Sequence, residues 1–307
     1  MFRGNLAHTG VYDGVGVPKL TGIKWKFHTD GLIISSPAVV DGSVYVGSTD
    51  GNLYAIDRGS GASKWKFATK ARVVSSPAIA GDTLFIGGWD SYFYAIDAAS
   101  GKEKWRFKTG EDPDIHNQVG IQSSAAVVDG AVYFGCRDSN FYALDAVTGR
   151  KRWSFSNKGS WVVASPAVLN GRVYFATSDS ELLHALDTKS GREIFSLKFH
   201  FPFFASPAIA GNTLYIGSHD GKLTAIDLKT QARSWEFQTD ASRQKLAAFS
   251  KPDGSPNYEA VFRSSFYDDL VAGVVRMQSV GTILSSPVIA GGVVYFGSND
   301  GNLYALR

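Results

Sequence analysis

Short apolar runs separated by polar turns recur along most of this chain. The first clear group predicts four strands, over residues 36–40, 43–47, 52–56 and 63–67. Asp-Gly pairs at Asp41 and Asp50 separate the first three runs, and this dipeptide between apolar runs predicts hairpins because glycine takes positive φ without steric cost. The inner runs do not alternate between apolar and polar, which indicates sheets covered on both faces.

The same four-stranded unit repeats with a period near 40 residues. Each unit ends in an aromatic residue, at intervals of 40, 40, 48, 42 and 40: Trp25, Trp65, Trp105, Trp153, Phe195 and Trp235. Each unit begins with a Ser-Pro or Ser-Ala pair, at Ser36, Ser76, Ser124, Ser165, Ser206 and Ser286. Radially arranged four-stranded units make a β-propeller. We therefore predict an all-β propeller of six antiparallel blades in a single domain spanning residues 1–307.

The two ends of the chain carry complementary parts of one blade. The last unit stops at Ala305–Arg307 before a fourth strand, whereas residues 22–27 have the sequence of a fourth strand with no blade before it. We expect residues 22–27 to complete the last blade, which removes an open sheet edge. Residues 1–20 are then an N-terminal extension.

The stretch 240–280 interrupts the repeat. The last two Ser-Pro pairs are 80 residues apart, and the stretch between them has no Ser-Pro start and no terminal tryptophan. Its apolar residues are four apart, which is typical of an amphipathic helix: Tyr258, Phe262, Phe266, Leu270 and Val274. We predict a helical insertion here. The alternative is a degenerate blade, which gives a seven-bladed propeller.

Composition narrows the function classes. The net charge is only +3, and many basic residues flank the repeat tryptophans on the outermost strand, where they discourage edge pairing. We therefore expect no nucleic-acid partner. No apolar run has the length of a transmembrane segment, and residues 1–20 lack the apolar core of a signal peptide. The predicted location is cytoplasmic, or periplasmic or extracellular if the chain is a trimmed mature domain.

An eleven-residue motif, A-x-D-x-x-[ST]-G-x-x-x-W, is intact at Ala55–Trp65, Ala95–Trp105 and Ala143–Trp153. It resembles the PQQ-like propeller repeat of quinoprotein alcohol dehydrogenases and of the outer-membrane-protein assembly lipoprotein, and the resemblance covers most of residues 22–307. Phe195 replaces the tryptophan in the fourth unit, and Gln231 replaces the glycine in the fifth. We interpret the motif as structural, with tryptophan and glycine packing between blades and aspartate accepting backbone hydrogen bonds.

The resemblance does not by itself imply the cofactor. The dehydrogenases of this family are longer, hold PQQ against a ring formed by two adjacent disulfide-bonded cysteines, and bind calcium through Glu, Asn and Asp. Cys136 is the only cysteine and cannot form that ring, and the calcium ligands have no matching positions. We expect a buried thiol at Cys136 and neither PQQ nor calcium nor any other metal or cofactor. No linear catalytic motif is present, so no catalytic residue is assigned.

Departures from the repeat mark two sets of loop positions. One set precedes each inner strand: Leu32, Arg72, Gly120, Trp161, Pro202 and Thr282. The other set precedes each hairpin aspartate: Thr49, Trp89, Arg137, Ser178, His219 and Asn299. In a propeller both loops open on one face, around a mouth of the central channel, and loops on a rigid scaffold often carry binding residues. The predicted ligand- or partner-binding residues are Arg72, Trp89, Arg137, Trp161 and His219.

The two tryptophans can stack on a sugar, a planar ligand or a partner side chain, and the basic residues give the face an anion-binding character. The alternative is that the tryptophans fill gaps between blades and the basic residues are solvated. The sequence thus favours a monomeric, non-catalytic scaffold that binds a protein or a small ligand such as a saccharide. The alternative function is a propeller-type enzyme, either a PQQ-dependent dehydrogenase or a lyase, with its site at the same channel mouth.

Overall fold

The computed structural model describes residues 22–110, 120–264 and 267–307. The predicted N-terminal extension and Phe266 lie outside these residues. The described chain forms two compact units, residues 22–166 and residues 167–307, and each is described by itself. The single domain expected from the repeat stays a prediction.

The first unit contains three four-stranded antiparallel sheets, in which strands that follow one another in sequence are paired. The first sheet consists of β1 (Ala38–Val40), β2 (Ser43–Gly47), β3 (Asn52–Asp57) and β4 (Ser63–Ala68). The second consists of β5 (Ala78–Ala80), β6 (Thr83–Gly87), β7 (Tyr92–Asp97) and β8 (Glu103–Lys108). The third consists of β9 (Ala126–Val128), β10 (Ala131–Gly135), β11 (Asn140–Asp145) and β12 (Lys151–Ser156).

The second unit contains two further four-stranded sheets and one three-stranded sheet. The fourth sheet consists of β13 (Ala167–Leu169), β14 (Arg172–Ala176), β15 (Leu182–Asp187) and β16 (Glu193–Lys198). The fifth consists of β17 (Ala208–Ala210), β18 (Thr213–Gly217), β19 (Lys222–Asp227) and β20 (Ala232–Gln238). The last consists of β21 (Val288–Ala290), β22 (Val293–Gly297) and β23 (Leu303–Leu306). The six blades predicted from the repeat are therefore present in the described residues.

The hairpin turns form as their sequences predict. Val40 pairs with Ser43, so the β1–β2 turn has two residues, and Asp41 and Gly42 both have positive φ, at 47° and 75°. A two-residue turn with this backbone matches the twist of the strands that it joins. At the next turn, Asp50 accepts hydrogen bonds from the Asn52 N–H at 2.9 Å and from the Tyr54 hydroxyl at 2.7 Å. The repeated hairpin aspartate thus ties the turn to the third strand.

The serine that begins each unit links neighbouring blades. The Ser36 N–H donates to the Ser76 hydroxyl at 2.9 Å, the Ser76 N–H to Ser124 at 2.9 Å, and the Ser124 N–H to Ser165 at 3.0 Å. In the second unit, the Ser206 N–H donates to Ser286 at 3.0 Å. Each hydroxyl therefore satisfies a backbone donor of the preceding blade, and an unsatisfied donor at a buried position is costly.

The motif tryptophan packs on the motif glycine of the following blade. The Trp65 indole N–H donates to the Ala98 carbonyl at 3.1 Å, and a Cβ added to Gly101 would lie 2.6 Å from the Trp65 ring. Trp105 has the same relation to Gly149, also at 2.6 Å. Gly101 has a φ of +73°, so glycine is favoured there both by the turn and by the ring above it.

Residues 22–27 form no strand among the described residues, and the last sheet has three strands rather than the expected four. The segment is held instead by its side chains. The Trp25 indole N–H donates to the Arg58 carbonyl at 3.0 Å, and Trp25 and Phe27 pack with Tyr54 in the core of the first blade. In other blades, the tryptophan of the fourth strand contacts the next blade along the chain. Trp25 makes the same contact with the first blade, although residues 22–27 form no strand among the described residues.

The insertion at 240–280 is helical, and its described residues form no seventh sheet. The helices are α1 (Asp240–Lys245), a 3₁₀ turn (Leu246–Phe249), α2 (Tyr258–Val261) and α3 (Tyr267–Gln278). The predicted helical insertion is confirmed, and it consists of several short helices, because Phe262 ends α2 in an extended conformation. Its ring packs on Gly273 of α3, where there is no room for a Cβ. The apolar residues spaced four apart therefore do not all lie on one face of a single helix. Some of them pack α2 against α3, as Phe262 does.

Replacing Gly101 by alanine should lower the free energy of unfolding by about 3 kcal/mol, through left-handed strain and overlap with Trp65. Gly81→Ala is the matched control, because Gly81 also has positive φ but has no atom within 4 Å of an added Cβ; it should cost about 1 kcal/mol. Urea unfolding gives the free energies of unfolding of both variants. The double variant Gly101→Ala with Trp65→Phe measures the coupling energy between the turn glycine and the ring above it. Equal costs at the two glycines would contradict the account.

Ser124→Ala removes the acceptor of the buried Ser76 N–H and should cost about 2 kcal/mol of stability. Ser100→Ala is the control, because Ser100 is exposed and water can replace its hydroxyl; it should cost less than about 1 kcal/mol. Thermal unfolding of the two variants is the measurement. A smaller loss for Ser124→Ala than for Ser100→Ala would show that the serine contacts do not stabilise the blades.

Candidate functional site

The two loop sets identified from the sequence are joined by backbone hydrogen bonds within their blades. The Trp89 N–H donates to the Arg72 carbonyl at 3.0 Å, and the Arg137 N–H donates to the Gly120 carbonyl at 3.2 Å. The same bond joins Thr49 to Leu32, His219 to Pro202, and Asn299 to Thr282. The residue before the hairpin aspartate therefore lies beside the loop that enters the inner strand, as expected for two loops on one face of a blade.

Four of the five predicted binding residues meet in the first unit. The Arg72 guanidinium carbon lies 3.7 Å from the Trp89 ring centroid, and that of Arg137 lies 4.7 Å from Trp89 and 4.2 Å from Trp161. These distances are within the range of cation–π attraction. The four side chains alternate between arginine and tryptophan, and we call them the arginine–tryptophan ladder. The sequence identified its members, but not that they stack on one another.

Arg137 is the buried member of the ladder, with 7% of its surface exposed. Its Nε and Nη1 atoms have no hydrogen-bond partner among the described residues. Burial, and next the charge of Arg72, lower the pKa of Arg137. Neither arginine belongs to an ion pair in the part of the chain that the structure describes. The ladder thus carries two positive charges that no described carboxylate neutralises.

Asp138 follows Arg137 in the chain but has other partners. Its carboxylate accepts hydrogen bonds from the Gly110 N–H at 2.8 Å, the Asn140 N–H at 3.0 Å and the Tyr142 hydroxyl at 2.5 Å. This is the turn-forming role of the repeated hairpin aspartate. The nearest acidic residue in sequence therefore serves the hairpin, and Arg137 does not share it.

Gly120 and Cys136 hold the loop that accepts the hydrogen bond from the Arg137 N–H. Gly120 has a φ of +112°, and a Cβ there would lie 2.6 Å from the Trp89 Cα, so only glycine allows this approach. The Cys136 thiol is fully buried directly after β10 and donates to the Gly120 carbonyl at 3.5 Å. Burial raises the pKa of Cys136, so the thiol is not reactive. The expectation of a buried structural cysteine is met.

His219 belongs to the second unit. It is buried, and its ring centroid lies 4.7 Å from that of Phe204. Its carbonyl accepts a hydrogen bond from the Thr282 hydroxyl at 2.9 Å. Desolvation lowers the pKa of His219 to about 4, so the imidazole is neutral near pH 7. The expected anion-binding role of His219 is therefore weaker than its sequence position indicates, since a neutral buried ring carries no charge.

Asn157 was not identified from the sequence. It is buried, and neither its side-chain oxygen nor its nitrogen has a hydrogen-bond partner among the described residues. The first, second and fifth blades have threonine at this position. The Thr69 and Thr109 hydroxyls donate to the Gly51 and Ser91 carbonyls. The substitution of asparagine for threonine in the third blade is the sequence signal that marks this departure.

The residues present do not fit the PQQ site of the dehydrogenases. The ring of two adjacent cysteines that the resemblance implies cannot form, because this chain has one cysteine. In the described ranges, no three His, Cys, Asp or Glu side chains form a group that could hold a metal ion. We therefore derive no chemistry through PQQ or calcium.

The sequence and the fold are similar to those of a known family. The model of the family described as outer membrane protein assembly factor BamB matches residues 21–159 and 138–307. The chain belongs to this family. BamB from Moraxella catarrhalis is similar in structure, with a TM-score of 0.71 and 18% identity, over 93% of this chain and 77% of that one. The predicted PQQ-like β-propeller is thereby confirmed.

Quinoprotein dehydrogenases share the fold of the BamB family. The quinohemoprotein alcohol dehydrogenase from Comamonas testosteroni has a TM-score of 0.71 and 16% identity, over 83% of this chain and 51% of that one. The quinoprotein ethanol dehydrogenase of Pseudomonas aeruginosa is 40% identical over 58 residues, which are 19% of this chain and 9% of that protein. The chain thus matches only a small part of this relative. In the described residues, no helix is long and apolar enough to cross a membrane.

The His219 environment gives a pH dependence with a defined sign. Its folded-state pKa of about 4 is below the ordinary value of 6.5, so the stability from the neutral ring is complete above pH 6.5 and is lost as the pH falls towards 4. Relative to His219→Phe, the native chain should lose up to about 3 kcal/mol over this range. Urea unfolding at several pH values measures the difference. Parallel pH profiles for the two proteins would contradict the burial argument.

Proposed function

We propose that this chain is a non-catalytic scaffold of the cell envelope that binds a protein partner through the arginine–tryptophan ladder. The observation that carries the proposal is Arg137, which is buried and has no carboxylate partner among the described residues. An uncompensated buried charge costs several kcal/mol. Trp and Arg are also the residue types most enriched at the energetic centres of protein interfaces. The ladder is therefore the surface best suited to a partner that supplies the missing negative charge.

A protein partner fits the ladder better than a saccharide does. Sugars stack on open aromatic faces, but Trp89 already has two guanidinium groups within cation–π distance, and Trp161 has one. The family description, which refers to the assembly of outer membrane proteins, also supports a protein-binding role. The family description also supports a periplasmic location for this chain. We further propose that the protein is a monomer and that the chain forms one domain.

The second candidate is an enzyme of the propeller type. The 58-residue match to a quinoprotein ethanol dehydrogenase favours it. Thermal unfolding with and without PQQ and calcium separates the two candidates, because a ligand that binds only the folded state raises its melting temperature. We expect no rise. An increase of several degrees that is saturable with PQQ would support the enzyme and contradict the non-catalytic scaffold.

Photo-crosslinking in the native host tests the scaffold directly. The test position is Arg72, which is exposed at the end of the ladder and is replaced by a photoreactive residue. The control position is Val147, which is 80% exposed in the turn at the opposite end of β11. We expect a discrete adduct with one envelope protein from position 72 and none from position 147. Tryptophan and arginine contacts at interface centres are worth about 2 kcal/mol or more, so Arg137→Met should strongly reduce the adduct.

The control for this experiment is Arg152→Met. Arg152 lies on β12 and pairs with Asp145 at 2.8 Å, away from the ladder. This variant should leave the adduct at position 72 unchanged. Identical adducts from positions 72 and 147, or an adduct that Arg137→Met does not affect, would contradict the assignment of the partner surface to the ladder.

A further inference from the structure

The unpartnered polar atoms of the ladder are all hydrogen-bond donors. The Nε and Nη1 atoms of Arg137 and the Nε1 atom of Trp89 are buried and have no hydrogen-bond partner among the described residues. Guanidinium and indole groups donate hydrogen bonds and accept none. A buried donor without an acceptor costs about 1–3 kcal/mol. The group that complements this site must therefore present acceptor atoms.

The charge of the site favours an anionic acceptor over a neutral one. Arg72 and Arg137 both lie over the Trp89 ring, at 3.7 and 4.7 Å, so two positive charges lie close together. Asp138, the acidic neighbour in sequence, is held by the Gly110 N–H and the Tyr142 hydroxyl. A hydrogen bond from a guanidinium to an anion is about twice as strong as one between neutral groups. A neutral amide would leave the charge of the ladder uncompensated.

The geometry of the site suits a planar anion. The Trp89 and Trp161 ring centroids lie 4.7 and 4.2 Å from the Arg137 guanidinium carbon. A ligand therefore meets the edge of the guanidinium, where a flat carboxylate can accept two parallel hydrogen bonds in the guanidinium plane. Backbone hydrogen bonds hold both loops, from Trp89 to Arg72 and from Arg137 to Gly120, so the donors are preorganised.

We propose that Arg137 and Trp89 form a carboxylate-binding site, which takes an acidic side chain or the C-terminal carboxylate of a partner protein. The identity of the ligand as part of a protein rests on the function proposed above, whereas the carboxylate chemistry rests on the donors alone. Arg72 adds long-range attraction, and Trp89 contributes both its ring and its indole N–H. The site recognises its partner by charge and by hydrogen-bond direction.

Nuclear magnetic resonance of the indole N–H groups tests this proposal on the full chain. Tryptophan is isotope-labelled, and the Trp89 signal is assigned with Trp89→Phe. The protein is titrated at constant ionic strength with the amide of N-acetyl-glutamate, with N-acetyl-alanine and with the amide of N-acetyl-glutamine. These probes supply a side-chain carboxylate, a terminal carboxylate and a neutral isostere, and inorganic phosphate is the fourth titrant.

We expect the Trp89 indole signal to move saturably with at least one carboxylate and not with the glutamine compound or phosphate. The tighter of the two carboxylates identifies its source as a side chain or a chain end. Arg137→Met should weaken binding by more than about tenfold, because a charge-assisted hydrogen bond is lost. Arg137→Lys, which keeps the charge without the planar fork, should retain weaker binding. Arg152→Met is the matched control and should bind as the native chain does.

Three results would overturn the proposal. The Trp89 indole signal could respond equally to the glutamine compound or to phosphate, it could fail to respond to either carboxylate, or binding could be unchanged in Arg137→Met. The signals of the other six tryptophans report whether each variant is folded, and Arg137→Lys serves as the test variant if Arg137→Met is not. Failure here is distinct from failure of the scaffold function. Suppose that the crosslink at position 72 depends on Arg137 but that no carboxylate binds. The proposed scaffold function would then stand, and only the proposal of a carboxylate ligand would be rejected.

Discussion

The packing of a tryptophan on the turn glycine of the following blade is the contact on which the repeat depends. In the first unit it occurs three times, with an added Cβ lying 2.7 Å from Trp25 at Gly61 and 2.6 Å from the rings above Gly101 and Gly149. Each indole also donates to a carbonyl of the blade that it covers. The contact joins the outer edges of successive blades, while the serine hydroxyls join their inner strands. Together these contacts hold the loops that carry the ladder.

The same contact explains the two departures from the motif. Glycine is needed where an indole lies above the turn, and Phe195 supplies a smaller ring in the fourth blade. The corresponding residue of the fifth blade is Gln231, which keeps a positive φ of 57° but has a side chain. A smaller aromatic residue and a larger turn residue thus occur in consecutive blades. The motif is therefore a packing rule with two coupled positions, and it specifies the fold rather than a particular activity.

The sequence predicted the blades well because their determinants are local. Asp41 and Gly42 specify a two-residue turn, and the apolar runs between such turns specify the strands. The four-residue spacing predicted the helical insertion but not the break at Phe262, because helical spacing does not reveal where two helices fold against each other. The fourth strand expected at residues 22–27 depended on backbone pairing over a long range, which periodicity cannot supply.

The candidate site was predictable as a set of residues but not as an arrangement. Trp89 and Trp161 stood out because they depart from the repeat, and Arg137 and Arg72 because they occupy the same loop sets. Their stacking and the burial of Arg137 depend on side-chain conformations that have no signal in a single sequence. His219 shows the converse, since its position resembles that of Arg137 but its ring is buried and neutral. In the proposed function, binding is thus a property of particular loops, and the blades position those loops.

A crystal structure of the chain grown with the amide of N-acetyl-glutamate tests the central claim most directly. The account predicts a carboxylate within hydrogen-bond distance of the Arg137 guanidinium and the Trp89 indole nitrogen, with the ladder otherwise unchanged. A carboxylate bound elsewhere, or an Arg137 side chain that is already paired with an acidic residue of its own chain, would contradict it.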